Sequence, residues 1–139
     1  MAALSGITAV RPTLNTILAS RAPVIYGSTN AAGQAAYFDL SDSKYKLADS
    51  NASAATAAAV GVFVTPGVND GYGYVATGGS IILVGTTMVV GTVYCAGAGP
   101  GDIVPISDLT TGDRTTILGT AATATQLDLA IKASGIVKA

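Results

Sequence analysis

The chain has no histidine, no glutamate and no tryptophan, and a single cysteine among its 139 residues. Without histidine, neither a Ser-His-Asp or Cys-His arrangement nor a histidine-bearing metal site can be built. Without glutamate, any paired-carboxylate chemistry falls to eight aspartates. Asp39, Asp42, Asp102, Asp108 and Asp113 all stand in turn contexts, where an aspartate side chain commonly bonds its own backbone. The composition therefore predicts a protein that is not an enzyme, with no metal and no cofactor.

Charge is also scarce. Charged residues make up 11% of the chain, against about 25% in ordinary soluble domains. Seven basic residues and a net charge of −1 leave no polycationic footprint, so no nucleic-acid partner is expected. The most apolar runs, 54–64 and 81–93, contain Thr and Gly and stop short of the ~18–20 apolar residues of a membrane helix. No membrane partner is expected either. Arg11 and Pro12 interrupt the apolar start of the chain, which predicts no secretory signal. Cys95 has no partner for an internal disulfide, and its place between Tyr94 and Ala96 predicts a small buried residue.

What is present is small and β-prone. Half of the residues are hydrophobic, but many are alanine, so each buries little area and the core is expected to be thin. Association between subunits would supplement it. Short β-branched runs alternate with Gly, Pro, Asp and Ser from Gly91 to Gly119, the pattern of brief strands joined by tight turns. The segment Gly97-Ala-Gly-Pro-Gly101 superficially looks like a phosphate loop. It lacks the Gly-Lys-Ser/Thr ending and no helical pattern follows it, so it is read as a stiff turn.

Along the chain, Leu4, Ile7, Val10, Leu14, Ile17 and Leu18 fall at spacings of three and four. Gly6, Pro12 and the interspersed Thr and Ser weaken a helix there. Residues 1–22 are read as an extended N-terminal arm whose six apolar residues dock on a partner or a neighbouring subunit, and residues 23–139 as a single β-rich domain. Strands are predicted at Pro23–Tyr26, at 35–40 and 45–48 around the turn cluster Ser41-Asp42-Ser43, at 62–64, 81–84, 88–90, 93–95, 115–118 and 126–131, and at the terminal Ile136-Val137. Turns are predicted at Val68–Gly71 and at Gly78-Gly79. An Ala-rich helix is placed over Ala52–Ala59 after a possible cap among Asp49, Ser50 and Asn51. Six tyrosines admit a binding platform or ordinary strand-edge packing. The fold class is thus mainly β, a small barrel or sandwich of short antiparallel strands with one short helix.

Several of these segments carry a resemblance. Gly61-Val-Phe-Val-Thr, Val75-Ala-Thr-Gly-Gly-Ser-Ile, Val90-Gly-Thr-Val-Tyr, Gly99-Pro-Gly-Asp-Ile-Val-Pro, Ile117-Leu-Gly-Thr-Ala and Ala133-Ser-Gly-Ile resemble head decoration, or cement, proteins of tailed bacteriophages. The resemblance covers about Ala35 to Val137. It implies a β-rich knob, a homotrimer bound to the major capsid protein on the outer surface of the virion and made in the host cytoplasm. Its role would be to stabilise the shell. The alternative is a trimeric tail fibre or spike module that binds a host receptor, although the longer repeats or heptads usual in fibres are absent.

Overall fold

In the computed structural model, which describes residues 3–138, residues 3–22 do not stand apart from the rest. They form two strands, β1 (Ala9–Pro12) and β2 (Ile17–Leu18). A third short strand, β3 (Val24–Ile25), follows. The chain then makes a hairpin from β4 (Ala35–Asp39) and β5 (Lys44–Leu47), with Ser41-Asp42-Ser43 in the turn as the sequence predicts. Asp39 accepts from the Ser41 N–H at 2.9 Å and Asp42 from the Lys44 N–H at 3.3 Å, so both aspartates serve the reversal.

The predicted Ala-rich helix shrinks to one turn, α1 (Ala54–Ala57). Its cap is Ser53, two residues beyond the expected group, and Ser53 and Thr56 form a reciprocal capping box. Asp49 instead accepts from the Asn51 N–H at 3.1 Å in a local turn.

Next come β6 (Gly61–Phe63), β7 (Tyr72–Gly73) and the ten-residue β8 (Val75–Val84). The rest of the chain adds β9 (Val93–Ala96), β10 (Ile103–Pro105), a 3-10 turn at Ile106–Asp108, β11 (Arg114–Ala121) and β12 (Gln126–Val137). The main sheet is antiparallel and runs β10-β9-β11-β12-β8-β6-β4-β5, with β1 and β2 also on β8. This is a half-barrel, and β3 pairs β7 in a small sheet of its own.

Three expectations change. Gly78-Gly79 is not a turn but lies inside β8, where Gly79 takes φ +71° and a Cβ added there would overlap the Asn15 carbonyl. Residues 88–90 are loop rather than strand; Met88 is buried, Val89 and Val90 are exposed, and the Val89 N–H donates to the Tyr94 hydroxyl at 3.0 Å. The two strands expected at 126–131 and 136–137 are one, carried past Gly135 at φ +70°.

β8 organises the body, because residues 79–82 pair β12, residues 75–76 pair β6, and β1 and β2 take positions between 76 and 84. Its Ile81 and Leu83 are fully buried with Leu118, Leu127 and Tyr94 in the main core, which otherwise holds many alanines. A second cluster forms around Tyr26 and Phe63, whose rings meet edge to face at 4.9 Å.

The glycine loop at 97–101 joins the β9–β10 end of the sheet to the β4–β5 end. The Ala35 N–H donates to the Gly101 carbonyl at 2.9 Å, the Gly101 N–H to Ala48 at 2.7 Å, and the Ser50 N–H to Gly97 at 2.9 Å. At Gly101, φ +77° and the nearby Gln34 and Leu47 side chains leave no room for a Cβ. The loop that looks phosphate-like in sequence is a backbone seam.

Candidate functional site

The six apolar residues predicted to contact a partner divide into two groups. Val10 is only 7% exposed and belongs to the main core, with Leu4, Ile7 and Leu18 packed against it. Val10 is covered by the chain's own body, and the other three are half-buried against it. The physical cause is strand pairing: β1 and β2 lie along β8 in antiparallel register, and the Leu4 N–H adds a bond to the Ile103 carbonyl at 2.8 Å. The boundary at residue 22 is crossed by the same pairing and by the Ala19 N–H bond to Val75 at 2.8 Å.

Leu14 and Ile17 point the other way. Leu14 is fully exposed at 107% of its reference area, and Ile17 is 59% exposed. The turn that carries them is held from within and from below. The Thr13 N–H donates to Thr16 Oγ1 at 2.7 Å, and the Thr16 N–H returns to the Thr13 carbonyl at 3.2 Å. Both threonine hydroxyls reach the Ser80 carbonyl, Thr13 Oγ1 at 3.0 Å and Thr16 Oγ1 at 2.5 Å. Gly79 beside Ser80 lets the Asn15 backbone sit down on β8. The result is a leucine projected into water from a fixed platform, so the backbone beneath it has little conformational entropy to lose if the side chain enters a pocket. Arg11 and Arg21 flank it, both exposed, and no acidic residue occurs between Ala3 and Ala22.

A second surface feature is concave. A groove of about 560 Å³ runs between β4 and α1. Tyr37, Phe38, Leu40, Ala55, Ala58 and Val60 line it, and Leu40 stands 85% exposed at its edge. The charge beside the groove leans acidic. Asp39 and Asp42 share Lys46 at 2.7 and 2.9 Å, Asp70 binds Lys44 at 2.5 Å, and Asp49 lies beyond. Hydrogen bonds from Lys46 and Ser41 hold the Asp39 carboxyl well below the usual carboxylate range. The same bond, with that to Asp42, raises Lys46.

The tyrosines do not gather into one platform. Tyr26 and Tyr94 are buried, and the Tyr26 hydroxyl sits 2.9 Å from the Thr65 carbonyl and 3.1 Å from that of Tyr74. Tyr72 is exposed beside its register partner Ile25 at the small β3–β7 sheet. Burial pushes the Cys95 thiol up to about 11, which makes it a poor nucleophile at neutral pH. Among the described residues, no group of three or more Cys, Asp, Glu or His side chains is placed to hold a metal ion. No helix among them is long and apolar enough to cross a membrane.

No protein-family model matches the chain, and no curated protein sequence matches it. The knob at Leu14 was legible in sequence only as one member of an apolar series. The groove was not legible at all, because its walls come from a strand and a helix separated by a hairpin and a loop.

Proposed function

We propose that this protein is a structural component of a tailed-phage virion that binds the outer surface of the capsid and stiffens it, acting as a homotrimer on the major capsid protein. The observation that carries the reading is the fixed apolar turn at Leu14 and Ile17 on a low-charge β body. An apolar side chain carried into water on a turn held by four hydrogen bonds offers area that contact with a protein surface buries. The segment resemblance to decoration proteins supplies the kind of surface. A partner that binds only the folded, assembled state also stabilises it by mass action, which suits a thin alanine-rich core.

The test is reconstitution. Purified protein is mixed with mature capsid shells that lack it, and the shells are then pelleted and challenged by heat or chelator. Saturable co-sedimentation with a raised shell disruption temperature is expected. Failure to bind intact shells, together with binding to host cells or host surface glycans, would replace this reading by the fibre or spike alternative.

A further inference from the structure

Leu14 is the most exposed large hydrophobic side chain among the described residues, and the apolar groove lies on a different part of the surface. Leu14 rises from the turn over Ser80 in β8, whereas the groove lies between β4 and α1. No residue of the turn lines the groove. A chain that bears both halves of a complementary contact at separate places satisfies them head to tail between copies, and such a contact makes a closed ring when its rotation closes.

We propose that Leu14 of one copy seats in the groove lined by Phe38, Leu40 and Ala55 of the next, forming the cyclic contact of the homotrimer. The occupant is a second copy because the charges around the two features are opposite. The knob is flanked by Arg11 and Arg21 with no acidic residue nearby in sequence. Asp39 lines the groove and shares Lys46 with Asp42, the Asp49 N–H bonds the carbonyl of Thr56 in its wall, and Lys44 is paired with Asp70, so these described groups sum to −2. Opposite potentials of this kind orient the encounter and fix register. The preorganised leucine at the centre provides the affinity. This inference rests on the trimeric reading above and specifies the surface through which the copies meet.

The test uses two variants of the full chain, each at an exposed position. Leu14→Asp removes the knob and places a negative charge on it. Ala55→Lys puts a cation into the groove at an exposed helix position that neither caps nor packs the core. Thermal melts first establish that both fold. Multi-angle light scattering and sedimentation then read association. The wild-type chain is expected to be a trimer, and each single variant to associate at least about thirtyfold more weakly, the effect of losing a hot-spot residue.

An equimolar mixture of the two is the deciding measurement, because the Ala55→Lys copy keeps the knob and the Leu14→Asp copy keeps the groove. A one-to-one complex held by the single intact contact is expected, because a closed ring of three would also need a contact that one of the substitutions breaks. Loss with Leu14→Asp alone, with no rescue on mixing, would mean a knob-to-knob contact and overturn the proposal. A wild-type monomer at all concentrations, or trimers unaffected by either variant, would overturn it too. Shell binding by the wild-type chain, measured in parallel, keeps the outcomes apart. Shells that bind protein whose association ignores both variants leave the capsid reading standing without this interface. Trimers that depend on both positions yet never bind shells leave the interface standing without the capsid.

Discussion

Replacing Gly79 by alanine tests whether the N-terminal segment is truly part of the sheet. In a simple β-turn, alanine at a left-handed position costs about 1–2 kcal/mol. Here the added Cβ also overlaps the Asn15 carbonyl, a backbone atom that cannot swing aside. The turn must lift from β8, and with it go the Thr13 and Thr16 bonds to the Ser80 carbonyl, each worth about 1 kcal/mol. Part of the burial of Leu18 is lost as well, roughly another 1 kcal/mol. The total is about 4–5 kcal/mol, a large share of the ~5–15 kcal/mol by which domains are stable. Urea unfolding followed by circular dichroism should show the unfolding free energy falling by that amount, with a lower midpoint and Tm lower by about 10–20 °C. Gly78→Ala is the control, since its Cβ meets only the tip of the Ile17 side chain at 3.3 Å and its φ is not in the left-handed region. Equal effects at the two positions, or a Gly79→Ala protein within about 1 kcal/mol of wild type, would refute the proposed seating of the turn.

Deleting residues 1–21 should lower the urea midpoint sharply rather than free a stable body, because Val10 leaves the core and β8 loses β1 and β2; an unchanged midpoint would show that the segment is dispensable. Asp39 has its folded pKa depressed, so its contribution is present above the unfolded value near ~4 and is lost as pH falls below it. Asp39→Asn should therefore flatten the acid side of a stability-against-pH curve and leave the neutral region little changed, the effect being small because the pair is solvent-screened. A thiol reagent at pH 8 should leave Cys95 unmodified in the folded protein and label it on unfolding; rapid labelling of the native chain would contradict its burial.

Local chemistry made part of this fold legible. Ser41-Asp42-Ser43 between two apolar stretches predicts its hairpin because the aspartates bond the turn backbone, and they do. The β-branched runs at 62–64 and 93–95 give β6 and β9 within a residue or so, since those side chains suit a buried strand. The failures share another cause. Gly78-Gly79 looks like a turn, but its glycines serve a close approach by a segment some sixty residues earlier in the chain. The loop at 88–90 has strand-like composition, yet its Val89 N–H binds a tyrosine hydroxyl rather than a ladder. In both, a long-range contact decides what short-range propensity suggests otherwise. The candidate surface follows the same rule: the apolar series from Leu4 to Leu18 is visible in the sequence, but which members face inward depends on register with β8.

The central claim is the proposed coat-bound structural role, and the copy number of the protein in purified virions tests that most directly. Quantitative mass spectrometry against the major capsid protein, with a map of the particle, gives both number and place. The account predicts a number comparable with the capsid protein's own, arranged in threefold groups on the outside of the shell. A small number confined to the tail or its fibres, or none in the particle, would contradict it.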